Sequence, residues 1–180
     1  PEANRPKLLI SLPAYCNTPD AMALDKAGNV LLSCPNFNDS SYPGIVMKID
    51  RQNRPSIYFP APAHPETKHG APMGLEFGPD GHLYYADNQY FFDRNYKSRL
   101  MRIVMENGTP VRAEVVVDGF KLANAVRWKG DAIYVSDTFF DLPDEVGASG
   151  VYRFRLSEFS GGPVKLMPNA KDPHLAARFR

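Results

Sequence analysis

Asp20, Met73 and Asn124 stand at intervals of 53 and 51 residues, each at the head of the same short phrase. The phrases run over residues 19–33, 72–87 and 123–137. A carboxylate and a side-chain amide are oxygen donors of the kind that hold Ca²⁺, a hard cation that takes six to eight such ligands. A thioether at the second position is a poor ligand for a hard cation, so Met73 suits the wall of a substrate pocket better than a metal shell. Spacing alone leaves other readings open. Asp20 could close an Asx-turn, and Asn124 could be a buried, hydrogen-bonded amide.

A period near fifty residues is that of stacked supersecondary units, none of which buries its apolar face alone. Each copy reads as a first strand (21–24, 74–77, 125–128), a tight glycine turn and a second strand (30–33, 83–86, 133–136). Third strands follow at 45–49, 100–104 and 151–154, where apolar and basic residues alternate. Lys48, Arg102 and Arg153 fall in register there and read as solvated charges on an exposed face. Fourth strands are expected at 56–59, 115–117 and 164–166. The fold class is therefore all-β, a β-propeller with three four-stranded blades in this chain. The blades occupy residues 19–60, 72–118 and 123–168, a closing strand 7–12 and a tail 169–180. Three blades do not close a ring, so the chain is expected to form half of a six-bladed wheel. The remaining blades would come from a second polypeptide, either the other product of a cleaved precursor or a second copy.

Composition sets the outer limits. The 180 residues are 43% hydrophobic and 23% charged, the balance of a globular protein with a core of its own. The net charge of +1, spread without a basic block, gives no reason to expect nucleic acid or an anionic membrane as partner. No apolar run approaches ~20 residues. Cys16 and Cys34 are the only cysteines. They fit either a disulfide, which would go with secretion or the periplasm, or two buried thiols.

The loops differ by face. First-to-second turns are minimal, whereas second-to-third loops are long (34–44, 87–98, 137–150) and rich in aromatic residues. Such loops are expected to build a pocket for a small molecule with apolar parts, lined by Phe37, Tyr42, Tyr90, Phe91 and Phe139 together with Met73 and with His69 from the connecting segment. The other histidine there, His64, has only loosely metal-like spacing to His69 and reads as part of a flexible, exposed loop.

Three stretches resemble the blade motifs of the SMP-30/gluconolactonase group of six-bladed propellers, whose relatives include paraoxonases and diisopropylfluorophosphatases. These are Pro19-Asp20-Ala21-Met22 through Ser33-Cys34, Pro79-Asp80-Gly81, and Leu122-Ala123-Asn124-Ala125-Val126-Arg127-Trp128. The resemblance implies a divalent cation, usually Ca²⁺, at the axis and hydrolysis of lactones or related esters. It makes Asn124 a metal ligand and Asp20 a ligand or the catalytic base that activates water. Met73 departs from the pattern. Two other readings compete: a non-catalytic propeller that binds a peptide or glycan through its aromatic loops, and a metal-independent propeller of the strictosidine synthase type.

Overall fold

The computed structural model describes residues 8–89, 97–138 and 149–166. The chain is all-β, a propeller-like fragment of three sheets with almost no helix. The first sheet is β1 (Met22–Leu24), β2 (Val30–Cys34), β3 (Ile45–Ile49) and β4 (Pro55–Pro60), antiparallel and in chain order. The second begins with β5 (Pro72–Phe77), β6 (Leu83–Asp87), β7 (Ser98–Glu106) and β8 (Thr109–Phe120). β7 and β8 form a long hairpin around Asn107-Gly108. Both residues have positive φ (52° and 79°), as a two-residue turn matched to strand twist requires. The third holds β9 (Ala123–Lys129), β10 (Ala132–Asp137) and β11 (Gly150–Arg155).

The expectation of three four-stranded blades fails at the last strand. β12 (Val164–Lys165) runs parallel to β8, pairing Val164 with Val117 and Lys165 with Asp118. It makes the second sheet five-stranded and leaves the third with three strands. The cause lies in the 3-10 helix Leu156–Gly161, whose Phe159 is buried against Tyr84 and Phe154. Burying that ring carries the chain back over the second sheet, where Leu166 N–H donates to the Asp118 carbonyl at 2.8 Å.

β6 explains how the sheets stack. All five of its residues are buried, and they alternate between two cores. Leu83 and Tyr85 join Leu31, Val46 and Leu75 between the first and second sheets. Tyr84 and Ala86 join Val126, Ile133 and Phe154 between the second and third. Consequently β1 lies beside β5, and β5 beside β9. The first strands of the three units are neighbours.

A third cluster, Leu32, Met47 and Ile49 with the cysteines, sits on the far side of the first sheet. Cys16 and Cys34 are disulfide-bonded, with Cα atoms 5.1 Å apart, which decides between the two readings of the pair. The closing strand expected at 7–12 is absent from residues 8–12. Ile10 and Leu12 pack on the first sheet, while Leu8 and Leu9 stay 82% and 62% exposed.

Candidate functional site

The axial residues owe their positions to the second strands. In the first unit Asp20 N–H donates to the Ser33 carbonyl at 3.0 Å, and Ala21 N–H to Ser33 Oγ at 2.9 Å. In the third, Ala125 N–H donates to Ser136 Oγ at 3.0 Å. Between them, Gly74 follows Met73 where the β5–β6 register slips.

The last residue of each second strand holds the chain just ahead of the axial residue. Asp87 Oδ1 accepts Ala71 N–H at 2.8 Å, and Asn88 N–H returns a bond to the Ala71 carbonyl at 2.9 Å. Asp137 repeats this: Oδ1 accepts Leu122 N–H at 2.6 Å, Oδ2 accepts Lys121 N–H at 3.1 Å, and Thr138 N–H donates to the Leu122 carbonyl at 3.2 Å. Cys34 stands at the equivalent place in the first unit, and its disulfide to Cys16 performs the same task covalently. Sequence reading missed these clamps. Their signal was available, since residues 34, 87 and 137 recur at intervals of 53 and 50, within one residue of those between residues 20, 73 and 124.

The result is a junction at the inner ends of β1, β5 and β9. The Asp20 carboxyl faces the Gly74 N–H of the second unit. A Cβ on Gly74 would lie 2.5 Å from the Asn124 carbonyl oxygen, so the third unit packs directly on the glycine's other side. The Asp20 carboxyl and the Asn124 main chain thus both approach Gly74. Asp20 remains exposed as a residue, yet packing around its carboxyl raises its pKa above the ordinary 3.8, against the smaller opposing pull of the Gly74 N–H. No Lys or Arg among the described residues forms an ion pair with it. Asn124 and Met73 are half-buried, Met73 against the core between the second and third sheets.

The pocket residues scatter more widely. Phe37, Tyr42 and His69 are half-buried, and the His69 carbonyl accepts from His64 N–H at 2.8 Å and Gln89 Nε2 at 3.2 Å. Tyr90, Phe91 and Phe139 lie outside the described residues. His64 is not exposed: it is 7% accessible, its Nδ1 accepts Glu66 N–H at 3.1 Å, and burial with Arg99 nearby holds its pKa below 6.5. Arg102 is likewise half-buried and paired through two nitrogens with Glu114, where a solvated charge was expected. A cavity of about 580 Å³, lined by Leu24, Tyr58, Phe77, Pro79 and Met105, opens at the far ends of β1 and β5 from Asp20. It is on the face of the short turns, not of the long loops.

The donor types at the junction are those of a hard-cation site: a carboxylate without an ion-pair partner among the described residues, and an asparagine at the head of the neighbouring strand. Two side chains do not complete a shell, and among the described residues no three His, Cys, Asp or Glu side chains gather to hold a metal.

No protein-family model matches the chain, and no curated protein matches it in sequence. Solved structures do match in fold. The chain is similar to a structural-genomics target described as a gluconolactonase candidate, with TM-score 0.51, 16% identity and coverage of 68% of this chain and 42% of that one. It is similar to the Xanthomonas campestris protein XC5397, a gluconolactonase (TM-score 0.53, 12% identity, 76% and 44% covered). It is also similar to the calcium structure of a Trichoderma reesei protein of Carbohydrate-Active Enzymes Family AA12 (TM-score 0.53, 13% identity, 83% and 38% covered). The likeness is one of fold, and the chain spans less than half the length of each of these structures.

Proposed function

We propose that this half-wheel belongs to a hydrolase of sugar lactones or related esters, with Ca²⁺ or another divalent cation held at the axis by Asp20 and Asn124. A second polypeptide, a cleavage partner or another copy, supplies the remaining blades and ligands. One observation carries the reading: at the inner ends of adjoining strands, the Asp20 carboxyl, without an ion-pair partner among the described residues, and the main chain of Asn124 both approach Gly74. Gluconolactonases among the fold neighbours support it.

Bound there, the cation supplies Lewis-acid polarisation of the substrate carbonyl and steadies the oxyanion. Asp20 contributes charge, and its carboxylate is also a group that can accept a proton from water. Asn124 contributes a neutral oxygen that does not depend on pH. Met73 presents an apolar surface beside them.

Asp20 sets the acid limb. In the cation-free site burial raises its pKa above 3.8, so a proton competes with the cation for this carboxyl as pH falls. The test is hydrolysis of a lactone and ester panel with Ca²⁺ or with EDTA, by the wild type and by Asn124→Ala. Loss of turnover in EDTA and in the variant, with the circular dichroism spectrum kept, is expected. Full activity in EDTA ends the proposal.

A further inference from the structure

One position of the repeat is packed differently at the two seams between units. Leu24, Phe77 and Trp128 each stand four residues after Asp20, Met73 and Asn124, at the short-turn end of a first strand. Between the second and third units that end is filled. Trp128 meets Tyr84 edge-on with ring centroids 5.0 Å apart, Phe159 packs on Tyr84, and a Cβ on Gly78 would press on both Tyr84 and Trp128. Between the first and second units, Leu24 and Phe77 leave open the cavity of about 580 Å³.

The backbone is bent to line it. The β3–β4 register slips between Val46 and Met47, so Tyr58 and Phe59, neighbours in sequence, both pack toward the second sheet. Regular alternation would turn one of them away. Tyr58 thereby reaches the cavity wall, where its hydroxyl has Met105 Sδ at 3.9 Å, a weak acceptor, as its only partner among the described residues. Burial, with the Asp25 charge nearby, raises the Tyr58 pKa above 10.0, so this hydroxyl keeps its proton and can donate it to an occupant. The two carboxylates on the wall are already engaged in their own turns. Asp25 accepts Ala27 N–H at 2.9 Å, Asn29 N–H at 2.8 Å and Asn29 Nδ2 at 2.7 Å. Asp80 accepts His82 N–H at 3.1 Å and the Tyr84 hydroxyl at 2.8 Å. Lys26, on the same wall, has no ion-pair partner among the described residues. The groups left to meet an occupant are an ammonium and a phenol, beside the apolar surfaces of Phe77 and Met105.

We propose that this cavity binds a small organic anion with a flat apolar body, in the size class of a two-ring aromatic carboxylate. The body lies against Phe77, Met105 and the Tyr58 ring, and the carboxylate accepts from the Lys26 ammonium and the Tyr58 hydroxyl. A volume of about 580 Å³ is that of an ordinary small-molecule site. An organic cation fits less well, because Asp25 and Asp80 commit their oxygens to their own turns. The site lies on the face opposite Asp20, needs no metal and stands without the hydrolase reading. Its walls come from two units, so an occupant also ties the first sheet to the second and raises stability.

The probe is naphthylacetate, with naphthylacetamide as its uncharged counterpart, each titrated calorimetrically into the full chain. EDTA is present throughout, so that no axial cation takes the carboxylate. The acid should bind about tenfold more tightly than the amide and raise the melting temperature. Lys26→Glu should abolish that preference, and Tyr58→Phe should weaken the acid about fivefold more than the amide. Leu24→Asp places a carboxylate on the cavity wall at a residue 68% exposed, so the core is spared while the acid loses affinity. Lys129→Glu makes the same charge reversal beside the short turn of the third unit, away from the cavity, and should leave both affinities unchanged. Equal binding of acid and amide, or a preference that survives in Lys26→Glu, overturns the proposal. So does the absence of binding by either compound, and so does an equal loss in Lys129→Glu, which would trace the preference to net charge alone.

Discussion

The first and third units secure their axial residues at the same place by different chemistry. Cys34 ends the second strand of one and is bonded to Cys16. Asp137 ends that of the other and accepts two backbone amides, Lys121 and Leu122. The second unit follows the third, with Asp87 on Ala71 and its charge met by Arg99 and by Gln89 Nε2 at 2.7 Å. A carboxylate clamp depends on the amides it accepts staying in place, so it suits a strand that the next sheet already covers. The first unit has a more demanding segment to hold, because Leu8, Leu9, Met22 and Leu24 on its outer side are exposed. A covalent tie does not weaken when the segment loosens. The disulfide thus ties down a segment that lies beside exposed apolar side chains.

Breaking the clamp of the second unit should have the largest effect. Asp87→Ala leaves the Arg99 guanidinium, 7% exposed, without its carboxylate, and also frees the Ala71 amide. Removing one partner of a buried pair costs ~3–5 kcal/mol. Urea unfolding should show it as a large drop in midpoint. A loss no greater than that of a surface variant would mean that Arg99 finds water, and that the second unit is held elsewhere.

The disulfide comes next. Its loop spans a sequence separation of 18, for which chain-entropy arguments give about 3 kcal/mol. Cys16→Ser with Cys34→Ser should lower the melting temperature and expose residues 8–16 to proteolysis before the rest of the chain. Asp137→Ala should cost somewhat less, about 2 kcal/mol, since it strands two amides but no charge. If the order of these two were reversed, the carboxylate clamp would hold its unit more firmly than the covalent tie holds the first.

How much of this was legible in the sequence divides along the same line. The strands were readable because alternation and glycine turns are local signals: Ile45–Ile49 and Leu83–Asp87 fall where the repeat puts them. The path of the chain after Arg155 was not, because it is decided by the Phe159 ring finding a core between two sheets that no local pattern reveals. Arg102 reads as a surface group for the same reason, its partner Glu114 lying across a strand ladder, and the burial of His64 is likewise set by packing and not by its neighbours in sequence. At the junction, the place of Asp20 and Asn124 at the heads of neighbouring units followed from the period. That both would approach Gly74 did not, since a glycine in a strand signals a close approach without naming what approaches.

The finest contrast between the units is electrostatic, and pH separates it from packing. Burial raises the Asp137 pKa above 3.8, outweighing the opposing pull of the Lys121 and Leu122 amides and the Lys121 charge. The folded state thus binds this proton more tightly than the unfolded chain does. The stability it contributes is fully present below 3.8 and is lost as pH rises through the folded value, where the carboxylate ionises in a poorly solvated site. Asp137→Asn removes the titration but keeps an oxygen for the Leu122 amide. The stability of wild type minus that of the variant should therefore fall as pH climbs from below 3.8 toward neutrality, and then level off. Urea midpoints taken across that range measure it, since other acidic groups cancel in the difference. The disulfide of the first unit has no such proton, so the Cys16→Ser, Cys34→Ser variant should show a difference from wild type that stays flat over the same window. A flat line for Asp137→Asn as well would mean that its two amides cancel the effect of burial, and that the carboxylate clamp is as indifferent to pH as the covalent one.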